Sequence, residues 1–352
     1  MTDMGHRRYR LADQAGPAAS PGGSRWMSRA IVASCLTYAG AIVATWAVVR
    51  WSAAESWPVH LFLYGPRWTL ALPMLPLIPL AAWRRSRWST ASLGAAAAGF
   101  LALWGFVLPW RGWSDGDTSG RTTLRVLTCN VQGDDLRVEA LAGLIRQARP
   151  DLVLLQECRL ADPGMVLGRE GWDVRVEGEF CLASRLPIVG FSVLRNRDKM
   201  DREFAARADV AWSGRTIPVV SVHLMTPRKG LEAIIRSPSG GIGAFRDVAS
   251  VQRLESGLLR RWVADASVSI LMAGDFNLTA EHPLYRRDWS GYANAFSGAS
   301  WGLGETMFTR RIGLRIDHVM GGSDWRAVHC WVGPDVGSAH RPVLADLSWV
   351  GR

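Results

Sequence analysis

Three long apolar stretches open the chain, and a succession of short apolar runs, each ending on a polar side chain, fills the rest. Ala30 to Val49 carries no charged residue. A helix of about twenty residues rises about 30 Å, the thickness of a bilayer's hydrocarbon core. A cleaved signal peptide would have a shorter apolar core and a small-residue cleavage site, so the pattern predicts an anchor. The second stretch, Val59 to Trp83, is interrupted by Arg67 and by Pro73, Pro76 and Pro79, which break a helix unless its neighbours satisfy the freed carbonyls. The third, Trp88 to Trp110, is uncharged and holds a small-residue run from Gly94 to Gly99 suited to close helix packing. The expectation is three transmembrane helices.

Beyond residue 123 the period changes. Leu124 to Asn130 reads as a strand, a helix follows from Leu136 to Ala148, and Leu152 to Gln156 is a buried strand that stops at Glu157. Shorter strands are predicted near Trp172–Val176, Phe180–Ala183, Ile188–Leu194 and Ala205–Trp212, then Ile217–Val222 leading to His223. Arg228 to Phe245 reads as an irregular, partly apolar excursion, and Asp247 to Val263 as an amphipathic helix. The uncharged run Ser269 to Ala273 ends in Gly274-Asp275-Phe276-Asn277, and two further strands are expected over Leu314–Met320 and Ser338–Leu347. Mixed order without regular β-α-β alternation argues for a two-sheet α+β sandwich covered by helices. The division predicted is a basic, cytoplasmic amino terminus at 1–29, a membrane domain at 30–110, a Gly/Ser-rich linker at 111–123 and a catalytic domain at 124–352.

Charge adds one exclusion. The net charge of +10 suggests nucleic acid, but residues 1–113 hold 11 Lys/Arg against 3 Asp/Glu, leaving 30 against 28 for the remainder. The later two-thirds therefore has no broad cationic footprint, which makes nucleic acid an unfavoured partner. The five cysteines lack paired C-x-x-C spacing, so no zinc site is indicated. A Cys129–Cys158 disulfide is conceivable in an oxidising compartment, and buried free thiols are the preferred reading.

The chemistry lies in the strand ends. Asn130, Glu157, His223, Asp275 with Asn277, Asp317 and His340 each fall at or near one end of an apolar run. Any of them singly reads as a cap or turn residue. Together they predict a polar cluster at one sheet edge. Carboxylates and amides without thiolates suit a hard cation, Mg²⁺ or Mn²⁺, and two imidazoles add proton transfer or charge stabilisation. The combination points to metal-assisted hydrolysis of a phosphate ester or anhydride.

The ordered series Cys129-Asn130, Leu155-Gln156-Glu157, Ser184-Arg185-Leu186-Pro187, Ser221-Val222-His223-Leu224, Gly274-Asp275-Phe276-Asn277, Ile316-Asp317-His318 and His340-Arg341-Pro342 resembles the endonuclease/exonuclease/phosphatase superfamily. The resemblance implies a four-layer αββα sandwich, here preceded by the three membrane helices. It also implies roles: Glu157 as principal metal ligand with Asn130 beside it contacting metal or phosphate, Asp275 positioning or deprotonating water, and Asn277 binding phosphate. His223 would donate to a phosphoryl oxygen, and His340 would be general base or charge stabiliser oriented by Asp317. His318, next to that aspartate, reads as structural, as do His282 and His329, which match no motif. The chain departs from the pattern at Ser338-Ala339-His340, where the family usually carries Ser-Asp-His, which bears on metal affinity.

Membrane helices ahead of such a domain also resemble the VanJ-type membrane phosphatases of actinomycetes. That likeness implies hydrolysis of undecaprenyl pyrophosphate or a related lipid phosphate, linked to glycopeptide resistance. It fits an expected multi-pass cell-membrane location, with Arg84, Arg85 and Arg87 on the cytoplasmic side and the catalytic domain outside. An exported nuclease and a non-catalytic lipid head-group binding module are the alternatives.

Overall fold

A computed structural model describes residues 21–108, 123–132, 136–160, 162–168, 171–266, 269–309 and 312–351. The expected linker, apart from Thr123, and the basic segment 1–20 lie outside these residues.

Helices come first: α1 (Pro21–Trp51), α2 (Trp57–Leu63), a 3₁₀ turn (Arg67–Ala71), α3 (Met74–Arg84) and α4 (Arg87–Trp104). Among the described residues only α1 is long and apolar enough, over Arg25–Trp51, to cross a membrane. This corrects the expectation of three transmembrane helices. The second stretch is broken into three pieces, with Pro66 ahead of the 3₁₀ turn and Pro73 ahead of α3, where the missing N–H and fixed φ favour a new start over continuation. The third forms α4, 18 residues long, which ends at Gly105 in the left-handed conformation (φ 84°). Its small residues do bring helices together. A Cβ on Gly99 would lie 2.7 Å from Ile42 Cγ2 of α1, and Ile42, Val49, Ala96 and Leu103 form one apolar cluster between the two helices. Arg84 reaches Met27 Sδ at 3.0 Å, so the arginines at 84–87 gather at the amino-terminal end of α1. Of 24 exposed large apolar side chains among the described residues, 15 belong to residues 26–108, which makes the outside of this layer apolar.

The remaining elements are β1 (Thr123–Asn130), α5 (Val138–Ala148), β2 (Leu152–Gln156), α6 (Gly164–Leu167), β3 (Asp173–Glu177), β4 (Phe180–Ser184), β5 (Ile188–Asn196), β6 (Arg202–Trp212) and β7 (Arg215–His223). Then follow α7 (Arg228–Arg236), α8 (Pro238–Trp262), β8 (Leu271–Asp275), α9 (Pro283–Asp288), β9 (Ala293–Asn294), α10 (Ala295–Ala299), β10 (Met307–Phe308), β11 (Gly313–Leu314), β12 (Asp317–Gly321), β13 (Trp325–Val332) and β14 (Val343–Trp349). Arg228 to Phe245, expected to be irregular, is helical. Leu231 and Ile234 of α7 pack on Phe245 and Ala249 of α8. Gly241 permits the approach, since a Cβ there would lie 2.3 Å from the Ala233 carbonyl carbon.

Two mixed six-stranded sheets face each other, in the orders β13-β14-β1-β2-β4-β3 and β5-β6-β7-β8-β12-β9. Each has one parallel pair at its centre, β1–β2 and β7–β8, flanked by antiparallel neighbours. Leu154, Val126, Val219 and Ala273 belong to the apolar core between the sheets. A second cluster packs Leu141 and Ile145 of α5 on the outer face of the first sheet. A third packs Leu259 of α8 with Leu284 and Trp289 beyond the second. The result is the expected helix–sheet–sheet–helix sandwich. The five cysteines are buried and free.

Candidate active site

Strand direction assembles the site. The parallel pairs align Asn130 with Gln156 and His223 with Asp275, so four strands from two sheets end at the same edge. Asp317 starts β12 opposite Asp275, and His340 stands three residues before antiparallel β14, which brings both to that edge. Two residues just past the strand ends, Glu157 and Asn277, hold left-handed backbone at φ 49° each, a strained state that other contacts must sustain. Gly274 is required by geometry: its φ is 141° and a Cβ would meet the Val222 carbonyl oxygen at 2.1 Å.

All seven predicted residues converge. Asn130 Nδ2 donates to Glu157 Oε1 at 2.9 Å and to Asp275 Oδ2 at 3.1 Å. His223 Nε2 stands 3.6 Å from Glu157 Oε1 and 3.9 Å from Asp275 Oδ2, while His340 Nε2 is 3.8 Å from Asp275 Oδ2. His340 Nδ1–H donates to Asp317 Oδ2 at 2.9 Å, and the Thr306 hydroxyl donates to the same carboxylate at 2.6 Å. The Asn277 backbone N–H donates to Asp275 Oδ1 at 2.8 Å and its side-chain amide donates to the Leu224 carbonyl at 2.9 Å, leaving one amide N–H for a ligand. Glu157, His223, Asp275, Asn277 and His340 line a cavity of about 610 Å³, with Met200, Met225, Val248 and Val251 on its walls.

The charges are unequal. Burial and the neighbouring Asp317 push Asp275 up to about 6, against the pull of His340 and His223. Burial works against a charged His340, yet Asp317 and then Asp275 push it up to about 9. Burial likewise opposes charge on Asp317, which the His340 cation nevertheless holds below the usual carboxylate range. His223 is also raised: burial opposes it, and Glu179 overcomes burial. The site is therefore an acid–imidazolium array in which Asp275 is raised toward neutrality, the state suited to a base near neutral pH.

Sequence reading missed the residues that hold this array. Glu179 accepts from His223 Nδ1 at 2.6 Å, turning Nε2 to the cavity; it follows Gly178 in the β3–β4 turn and carries no local signal. Arg202 donates to Glu179 and to the His223 carbonyl. Most unexpected is Tyr64, from the amino-terminal layer, whose hydroxyl donates to the Asn277 carbonyl at 2.5 Å, joined there by Gln252 at 3.1 Å. Arg67 pairs with Glu281 at 3.1 Å and His60 meets His282 at 2.8 Å, so the loop behind Asn277 is gripped by the helices before it. As expected, His282, His318 and His329 stay outside the cavity lining. His318 donates to the Leu278 carbonyl, and His329 stacks on Trp331.

Asp275, Asp317 and His340 offer ligand atoms within 4.8 Å of one another. Asp317 is already engaged by His340 and Thr306, and Asp275 by Asn130 and the Asn277 N–H, which leaves Glu157, bonded to Asn130, as the more open oxygen donor with Asp275 beside it. Two carboxylates sharing one amide group suit a hard divalent cation. Ala339 is solvent-exposed and absent from the cavity lining, between inward Ser338 and His340, so its missing carboxylate leaves the cavity wall intact.

Paired acid–imidazole groups at the shared edge of a double-sheet sandwich define a hydrolytic phosphoester site. The chain belongs to the endonuclease/exonuclease/phosphatase family, whose model matches residues 127–340; members are phosphoesterases and nucleases with a typical need for divalent metal. No curated protein matches the chain. Among solved structures, it resembles a 3'-5' exonuclease from Neisseria meningitidis at 18% identity and TM-score 0.51, covering 64% of this chain and 100% of that one. A family protein from Beutenbergia cavernae aligns at 20% identity and TM-score 0.50, over 66% and 72% of the two chains. A Neisseria 3' phosphatase bound to product DNA hairpin gives 17%, 0.50, 64% and 100%. At these identities the likeness is one of fold.

Proposed function

We propose that this protein is a membrane-attached, divalent-metal-dependent phosphatase of a lipid phosphate or pyrophosphate. The observation that carries this reading is the junction between site and helical layer. The cavity is walled by α7 and α8, whose other face packs on Trp57, Leu61 and Tyr64, and that layer is apolar outside. A catalytic cavity fixed beside an apolar exterior raises the effective concentration of a membrane-borne substrate. Undecaprenyl pyrophosphate is the candidate, by the resemblance to VanJ-type phosphatases, and glycopeptide resistance the associated role. With α1 in the bilayer, the arginines at 25–29 and 84–87 mark the cytoplasmic end, and the catalytic region, at the other end of α1, faces outside.

In this mechanism Asp275 accepts the proton of the attacking water, whose oxygen bonds to phosphorus as the bond to the leaving group breaks. His223, its Nδ1–H held by Glu179, donates from Nε2 to a phosphoryl oxygen. The free N–H of Asn277 binds a second. His340 stands as an imidazolium, fixed by Asp317, and stabilises the charge that develops. Mg²⁺ or Mn²⁺, held by Glu157 with Asn130 beside it, would neutralise phosphoryl charge.

The test is phosphate release by full-length protein from a polyprenyl pyrophosphate with Mg²⁺, alongside cleavage of single- and double-stranded DNA. Rapid DNA cleavage without phosphate release would establish the nuclease reading instead.

A further inference from the structure

A second cavity, of about 580 Å³, opens at the carboxyl end of α1, between that helix and α8–α9. It shares no lining residue with the catalytic cavity. Its charged lining is Arg50, Arg253, Arg286 and Arg287 against Glu55 alone. Two of these cations are paired, Arg253 with Glu55 and Arg287 with Asp288 at 2.9 Å. Arg286 donates to the Glu281, Val49 and Arg50 carbonyls, so it caps the last turn of α1. Its Nε–H, though, is buried and without an acceptor among the described residues. Arg50 has no carboxylate partner there either.

Two guanidiniums, those of Arg50 and Arg286, thus border the space without a carboxylate ion-pair partner of their own among the described residues, the one lining carboxylate, Glu55, being taken by Arg253. Burial, and next the charge of Arg50, pull Arg286 below its ordinary pKa. An anion in the cavity would offset the charge that Arg50 and Arg286 bring to its lining. The place also selects the anion. Trp46 and Trp51, exposed at this end of α1, meet edge to face at 5.7 Å, the disposition of aromatic side chains at a membrane surface.

We propose that this arginine cavity binds the phosphate head group of an anionic phospholipid, with Trp46 and Trp51 beside its acyl chains. The proposal rests on the reading of α1 as a membrane helix. Arg286 links the cavity to Glu281, and so to the loop that begins at Asn277, which places a structural lipid behind the catalytic edge.

Full-length protein in a neutral detergent would be unfolded thermally with dioctanoyl phosphatidylglycerol, dioctanoyl phosphatidylcholine or inorganic phosphate. Phosphatidylglycerol should raise Tm saturably, phosphatidylcholine should not, and inorganic phosphate should bind at least about tenfold more weakly. Arg50→Gln with Arg253→Gln should weaken phosphatidylglycerol about tenfold or more, since each removes a charge-assisted contact. Arg50→Lys, with its charge kept, should retain most of the affinity and so controls for folding. Equal response to both lipids, or unchanged affinity in the double variant, overturns the site; equal response to free phosphate overturns its lipid source. Alkaline carbonate extraction separates the two readings. Release from the membrane sinks the α1 assignment, whereas retention without lipid selectivity sinks only the head-group site.

Discussion

Replacing Asp317 by asparagine removes one charge and almost no volume, at a residue with 1% exposure. His340, pushed up to about 9 from 6.5, favours its cation in the fold by about 3 kcal/mol. Asp317 is the first contributor to that rise and Asp275 the second, so the substitution should forfeit about 2 kcal/mol of that preference. An amide can also present N–H toward Nδ1 and select the wrong tautomer, which in acid–imidazole pairs costs up to about 10⁴ in rate. Between these limits the expected loss in kcat is roughly 10²–10³-fold with little change in KM. The pH profile carries the sharper test. With His340 acting as imidazolium, wild-type activity should persist until pH approaches 9, and the variant's alkaline limb should move down toward 6.5. An unmoved limb, or a loss below about threefold, would refute the dyad. Stability should follow the same groups. His340, raised in the fold, stabilises fully below about 6.5 and loses its effect as pH climbs through about 9. Asp317, lowered in the fold, stabilises above about 4 and loses its effect as pH falls through its depressed value. Thermal melts across this range should therefore be flatter in Asp317→Asn than in wild type.

Three further outcomes are expected. Gly274→Ala drives a Cβ onto the Val222 carbonyl and should cost about 2–4 kcal/mol in denaturant melts, while Ala273→Gly beside it, which brings no clash, should cost less than half as much. Glu157→Gln should lower kcat at least about 10²-fold and raise the Mg²⁺ concentration for half-activity about tenfold, with chelation abolishing wild-type turnover and added Mg²⁺ restoring it. Tyr64→Phe leaves Gln252 as the remaining side-chain donor to the Asn277 carbonyl; a stability loss near 1 kcal/mol with kcat down about tenfold at constant KM is expected, and unchanged kcat would show that the grip has no catalytic effect.

The catalytic edge was legible because each strand announces its own end. An uncharged run such as Leu152–Gln156, buried at every position, stops at a carboxylate, and the end of such a run marks the position of Glu157 or Asp275. Groups that orient the site were not legible. Glu179 and Thr306 act across 44 and 11 residues of chain, and a turn glutamate or a buried threonine has no periodicity to mark it. α7 escaped notice for a different reason: Ser237-Pro238 and Gly240-Gly241 read as breakers, whereas here proline opens α8 and Gly241 lets two helices touch.

The amino-terminal third shows why counting apolar residues is insufficient. Hydropathy treats the segment from Val59 to Trp83 as one span, yet three of its polar residues have partners across the junction: His60 with His282, Tyr64 with Asn277, Arg67 with Glu281. A lipid-facing helix has no use for three such side chains in just over two turns, because burying them without partners costs several kcal/mol. Their partners all lie between 277 and 282, immediately after the cavity-lining Asp275. The break in the second apolar stretch is therefore the means by which the helical layer reaches the catalytic loop. The helical layer and the active site are one structural unit, and a fragment starting at residue 124 should fold less stably and turn over more slowly than the full chain even on a soluble substrate.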